Sequence, residues 1–216
     1  MQQKSPIVQR VLRLLDVHHQ TFYATEPLAR ETGHPVPMDT RGWSQILVSV
    51  LTGIRGLERK KGADLEDGSD VKGACTWAAI DTPRFNGVIK AGTKAEVSGR
   101  LASLDAMPYL FFALWDEATR ADRPAARFRV WCVRTREDKS FRSMCSSWYK
   151  AVESGEIRSA NFQLHPPRGQ DSNVIRNSYG VLTYPLLFSA ERLTSGYECM
   201  VYDVNVLTRG ECRKAK

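Results

Sequence analysis

The run Tyr109-Leu110-Phe111-Phe112-Ala113-Leu114-Trp115, entered through Pro108, constrains the fold more than any other stretch of the chain. Large apolar side chains at consecutive positions leave no solvated face, so a strand of this kind must be covered on both sides. A second strand is expected from Arg127 to Thr135, where Arg127, Arg129, Trp131 and Val133 alternate with Phe128, Val130, Cys132 and Arg134. The polar link from Asp116 to Ala126 would make the hairpin connection between them. Helices to cover this pair are available. Ile46, Leu47, Val50, Leu51, Ile54 and Leu57 form a helical stripe, capped by Asp39 or Thr40 and closed by Gly62. Residues Asp138 to Glu153 predict another helix, with Phe141, Cys145, Trp148, Tyr149 and Val152 on its buried face. The expected class is α/β, with a mixed central sheet flanked by helices.

Around this centre the pattern is less emphatic. Ile7 to Asp16 has helical spacing, and after His18-His19 a second, weaker helix is expected from about Thr21 to Glu31. These two helices would pack on the core, or serve as a dimerisation or DNA-contacting arm. Asp70 to Ile80 reads as extended, with Trp77 and Ile80 adding bulk. Arg84 to Lys90 reads as a short strand, and Thr93 or Lys94 to Leu104 as a helix. Val181 to Phe188 returns to the core, and Tyr197 to Val206 is the expected last strand. A chain of 216 residues can bury one sizeable core, so a single domain is expected.

Composition excludes several classes. No apolar run approaches the ~20 residues that span a bilayer, and no secretory apolar segment opens the chain, so a cytoplasmic location is expected and no membrane partner. Cys75, Cys132, Cys145, Cys199 and Cys212 are odd in number and lack CxxC spacing, which reads as reduced thiols rather than a disulfide frame or zinc site. The four histidines are scattered, which argues against a histidine-metal nuclease. The net charge of +7 favours an anionic partner, with nucleic acid the first candidate.

Against that positive background, Asp64, Glu66, Asp67 and Asp70 stand together within Gly62 to Ala74. Such a cluster repels phosphate unless a cation bridges it. Asp70, Val71 and Lys72 alternate, so a strand presents the carboxylate and the ammonium on one face. The turn-forming run Leu65 to Ser69 could fold Asp64 back beside them. Two acids and a lysine in that arrangement could hold a divalent cation and orient a water for phosphodiester hydrolysis; a solvated acidic turn is the plainer alternative. Glu58, expected on the last helical turn, sits against the helix dipole. Arg59, Lys60 and Lys61 could offset it, or it could be a third acid of the site.

Asn161 to Asn177 is rich in amides and guanidiniums. Asn and Gln pair bidentately with adenine and Arg with guanine in a major groove, so Asn161, Gln163, His165, Arg168, Asn173, Arg176 and Asn177 are candidate DNA-binding residues. The plainer reading is a polar surface loop ordered by proline. The basic tail Arg209, Arg213, Lys214 and Lys216 would be a nonspecific phosphate contact or disordered.

With Asp64, Asp70-Val71-Lys72 and the upstream Glu58 in hand, the chain resembles the PD-(D/E)XK nucleases, the fold of many type II restriction endonucleases. Ala63 replaces the motif's proline, and the gap between Asp64 and Asp70 is shorter than usual, so Glu66 or Asp67 could share Asp64's place. The runs Asn161 to Pro167 and Tyr184-Pro185-Leu186-Leu187-Phe188 are similar to the MamI restriction endonuclease family. The resemblance implies a nuclease domain over residues 1–216: an N-terminal helical arm to residue 38, a catalytic core over 39–153, and a DNA-recognition region with the final strand over 154–216. It implies Mg²⁺ held by Asp64, Asp70 and the main-chain carbonyl of Val71, with Lys72 orienting the attacking water and Glu58 completing the site. It implies cleavage of double-stranded DNA at a palindromic sequence by a homodimer. Two other readings stand beside it: a non-catalytic DNA-binding regulator, which accounts for the charge and the amide-rich loop but leaves the acid cluster without purpose, and a structure-selective repair nuclease on the same scaffold.

Overall fold

The computed structural model describes residues 5–34, 40–58, 62–76, 82–89, 101–119, 124–158, 161–167 and 172–209. Its centre is a five-stranded sheet in the order β1-β2-β3-β6-β7. The strands are β1 (Asp70–Cys75), β2 (Tyr109–Thr119), β3 (Pro124–Arg134), β6 (Leu186–Leu193) and β7 (Gly196–Tyr202). β1 runs parallel to β2, and every other neighbouring pair is antiparallel, so the sheet is mixed. A separate hairpin is formed by β4 (Val174–Asn177) and β5 (Gly180–Thr183). The helices are α1 (Pro6–Glu31), α2 (Thr40–Thr52), the one-turn α3 (Ala102–Asp105), α4 (Lys139–Glu153) and the one-turn α5 (Val206–Arg209). This is the expected class: α/β, a mixed central sheet flanked by helices.

β2 divides its side chains between two cores. Phe111, Ala113 and Trp115 join Val71, Phe128 and Val130 in a core closed by Leu15 of α1 and Leu47 and Leu51 of α2. Leu110, Phe112 and Leu114 face the other way and pack with Trp131, Val133 and the α4 residues Phe141, Cys145 and Trp148. The strand is therefore covered on both faces, as its unbroken apolar sequence requires. α4 begins just after Asp138, which caps it, with the Phe141 N–H donating to Asp138 Oδ1 at 2.9 Å.

Several boundaries depart from the sequence reading. Residues 6–31 form one helix rather than two, because the histidine pair is packed rather than free. His18 lies 4.1 Å from the Trp115 ring and 5.1 Å from that of Trp43, ring centroid to centroid. α1 is also tied to the far sheet edge. Asp16 Oδ1 lies 2.6 Å from Arg192 Nη1 and accepts from the Tyr197 N–H at 3.1 Å. α2 stops at Thr52, not near Gly62, because Gly53 takes φ 75°, a left-handed conformation that ends helices. Ile54 and Leu57 continue the apolar spacing, but in extended chain that pairs Gly56 with Leu65. β2 and β3 extend to Thr119 and Pro124, so the hairpin link is shorter than Asp116 to Ala126. Of the strand expected from Arg84, only Phe85 makes a ladder bridge, to Leu164, and the last strand ends at Tyr202. Trp77, Ile80, Arg168, Cys212 and the tail residues Arg213, Lys214 and Lys216 lie outside the described residues, as does most of the helix expected from residue 93. Among the described residues the four cysteines carry free thiols, and no helix is long and apolar enough to cross a membrane.

The seat of α2 on β1 depends on Gly73. A Cβ at Gly73 would lie 2.6 Å from the Thr40 carbonyl oxygen and 3.0 Å from Ser44 Oγ. Gly73→Ala is therefore expected to cost about 1–3 kcal/mol, roughly 2–12 °C in Tm, through overpacking. Thermal unfolding measures this; an unchanged Tm would show that α2 can move away freely.

Candidate active site

β1 is the edge strand of the sheet, and its alternation sets the site. Asp70 and Lys72, registered with Leu110 and Phe112, lie on the face away from α2. Lys72 Nζ stands 2.6 Å from Asp70 Oδ2, with both side chains largely buried. The acidic turn then returns the chain. The Asp64 and Leu65 N–H groups both donate to the Ser69 carbonyl at 3.1 Å, and the Gly68 N–H donates to the Leu65 carbonyl at 3.1 Å. Gly68 has φ 94°, and a Cβ there would meet the Ala106 carbonyl oxygen at 2.8 Å, so this turn requires glycine.

The turn lays Asp64 over the start of β1. Its Oδ2 accepts the Val71 N–H at 3.0 Å, and its carboxyl is hydrogen-bonded to that of Asp70. Gln45 of α2 also hydrogen-bonds Asp64, and Arg41 Nη2 stands 3.7 Å from Asp64 Oδ1. Of the other acids in the turn, Asp67 is engaged by Ser69, whose N–H and hydroxyl both donate to it at 2.9 Å. Glu66 is exposed, 3.6 Å from Arg55. The geometry therefore pairs Asp64, and not Glu66 or Asp67, with Asp70.

Two carboxyls in contact cannot both ionise cheaply. Burial, then the hydrogen bond with Asp64, raises the Asp70 carboxyl to about 7 against the pull of Lys72. For Asp64 burial also works upward. It is outweighed by hydrogen bonds with Asp70, the Val71 amide and Gln45 and by the Lys72 charge, which hold that carboxyl below the usual range. The pair thus keeps one proton between two acids toward neutral pH, with Asp70 the donor. Hard carboxylate oxygens that share a proton fit a divalent cation in the proton's place. Among the described residues no group of three or more His, Cys, Asp or Glu side chains could hold a metal.

Asp64, Asp70 and Lys72 open on a cleft of ≈ 1210 Å³, with Arg41, Arg84 and Gln163 among its walls. The sequence profile of the MamI restriction endonuclease family matches residues 27–201. The chain belongs to this family. The type II restriction enzyme MamI of Microbacterium ammoniaphilum is 33% identical over 196 residues, covering 84% of this chain and 63% of that protein. The chain thus spans less than two thirds of that relative's length. No solved structure matches.

The structure separates the expected site residues of this family member into groups. Asp64, Asp70, Val71 and Lys72 come together. Glu58 does not join them: it is exposed in the segment after α2, outside the cleft lining, and its expected place on a helical turn falls with the earlier helix end. Asn161 and Gln163 line the cleft. His165 is bridged by its backbone to Arg176, and its Nδ1 lies 3.5 Å from the Pro83 carbonyl oxygen. Asn173 Oδ1 accepts the Trp131 indole N–H at 3.3 Å, and Asn177 Oδ1 accepts the Tyr179 N–H at 2.8 Å. Those two amides hold the fold locally. Arg41 and Gln45 escaped the sequence reading. Their i, i+4 spacing on the polar side of the α2 stripe was the available signal.

The pH dependence follows from Asp70. Its carboxyl is raised on folding, so its contribution to stability is fully present below the unfolded value near 3.8 and is lost as pH rises through about 7. Asp64, shifted the other way, contributes above that unfolded value and loses its contribution only at more acid pH. In chelator, wild-type Tm should therefore fall between pH 5 and 8 by more than that of Asp70→Asn. Parallel profiles for the two proteins would refute the shared proton.

Proposed function

We propose that this protein is a type II restriction endonuclease that hydrolyses phosphodiester bonds of double-stranded DNA at a specific palindromic site, using Mg²⁺. The observation that carries the reading is the contact of Asp64, Asp70 and Lys72 at the open edge of the sheet, in a chain of this restriction endonuclease family. A PD-(D/E)XK nuclease built on residues 1–216 as one domain accounts for that contact, for the acid cluster in a basic chain, and for the arginines beside it.

Asp64 and Asp70 would hold the metal through their carboxylates, with the Val71 carbonyl a further ligand. Mg²⁺ commonly takes one or two protein carboxylates, keeps several waters, and binds substrate phosphate. When bound, the ion polarises the scissile phosphate and acidifies a coordinated water. The Val71 N–H and Gln45 hold the Asp64 carboxylate in place before the cation would bind. The Lys72 ammonium would orient the attacking water and offset the charge that grows on the phosphorane. Arg41 is mostly exposed and close to Asp64, so it would turn to a phosphate of the backbone once DNA enters the cleft.

A plasmid digest with Mg²⁺ should give discrete bands, and Lys72→Ala or Asp70→Ala should lose at least ~100-fold in cleavage rate while still binding DNA in EDTA. No cleavage by the wild type would favour a binding regulator, and cleavage confined to branched DNA a repair nuclease. Cutting both strands of a palindrome calls for two sites related by a two-fold axis, so a homodimer is expected. Sedimentation equilibrium on DNA should give the mass of two chains plus one duplex; one chain alone, and one chain per duplex, would remove the dimer.

A further inference from the structure

Two distant segments meet beside the Asp64–Asp70 pair. The Phe85 N–H donates to the Leu164 carbonyl at 2.7 Å, and the Leu164 N–H donates to the Phe85 carbonyl at 3.2 Å. Further along, the Val88 N–H donates to the Phe162 carbonyl at 3.2 Å, and the Phe162 N–H to the Ile89 carbonyl at 3.0 Å. Residues 85–89 and 161–165 therefore form a short antiparallel ribbon whose register shifts between Phe85 and Val88, across Gly87, whose φ is 60°.

The ribbon has two unlike faces. Phe85, Phe162 and Leu164 are fully buried. Phe85 packs 4.7 Å from Phe112, and Phe162 lies 5.5 Å from Trp148, centroid to centroid. The alternate residues Arg84, Asn86, Asn161 and Gln163 face the cleft that holds Asp64, Asp70 and Lys72. Asn86 and Asn161 are exposed. An aromatic-anchored ribbon with an arginine and three amides on its open side has the size and chemistry to enter a major groove.

We infer that this ribbon is the element that reads base edges, with Asn86, Asn161 and Gln163 pairing with bases and Arg84 with guanine. The inference rests on the DNA-cleavage reading and assigns its sequence specificity. It adds Arg84 and Asn86, from a segment far from the Asn161 run in sequence and brought beside it by the ribbon hydrogen bonds. It does not use Asn173 and Asn177, whose amide oxygens accept from the Trp131 indole and the Tyr179 N–H.

The test is cleavage of a randomised duplex library with Mg²⁺, with the ends sequenced, for wild type, Asn86→Ala, Asn161→Ala, Gln163→Ala and Gln163→Glu. In parallel, duplexes retained in EDTA are sequenced for the same proteins. Each alanine variant should relax the preference at one base position per half-site by about 5- to 150-fold, leaving the others intact. Gln163→Glu keeps the size and the fold but offers only acceptors, so it should move the preference at its position toward cytosine. An unchanged preferred site in all four variants would overturn the ribbon assignment, as would a uniform loss across all sequences. If wild type cuts nothing, the cleavage reading fails by itself, and the retained duplexes still decide whether the ribbon selects sequence.

Discussion

The site depends on the approach of α2 to the edge strand β1 at Gly73. With any side chain at that position, the Thr40 carbonyl and Ser44 could not lie where they do. Ser44 in turn accepts the Trp115 indole N–H at 3.1 Å, so the start of α2 is pinned both to β1 and to the central strand β2. One turn of helix carries Arg41 and Gln45 from this seat to Asp64. The acid is thus fixed from two directions, by the helix and by the Val71 amide of the strand.

That fixation explains how a like-charged pair survives in a folded protein. Bringing Asp64 against Asp70 works against folding once both would ionise, and burial adds to the cost. The structure offsets this locally with the Lys72 ammonium on Asp70 and with neutral donors on Asp64. The compensation is asymmetric. Asp64 is held ionised while Asp70 retains the proton, so the two acids are unequal before any ion arrives. A divalent cation at this pair would compete with the proton for one position, and its binding would relieve a tension built into the fold.

What the sequence made legible was local. Alternation alone put Asp70 and Lys72 on one face, the unbroken apolar run placed β2 at the centre, and Asp138 marked the start of α4. What it hid was decided by contacts between distant residues. Ile54 and Leu57 keep helical spacing after the helix has ended, and only the left-handed Gly53 marks the stop. His18 reads as a break until Trp43 and Trp115 enclose it. Glu58 drew attention as an anomalous acid on a helical turn, and that turn is not helical. Gln45 and Arg41 were visible on the polar side of the α2 stripe, but nothing local says which acid a helix face will meet. The pairing of Phe85 with Leu164 lies wholly beyond local pattern.

The arrangement of the two faces gives the cleft its logic. Phe112 is registered with Lys72 across the β1–β2 ladder, and the same ring packs on Phe85 of the ribbon. The edge that carries Asp70 and Lys72 and the polar ribbon are therefore joined through one strand of the sheet rather than through a loop. A site held on regular strands keeps its geometry to within a fraction of an ångström more readily than one held on loops. If bases are read by the ribbon, the distance from the reading groups to Lys72 is set by side chains packed on β2. The cut position would then be fixed by the core itself, and repacking Phe85 or Phe112 would disturb the relation between reading and cutting without touching either set of polar groups.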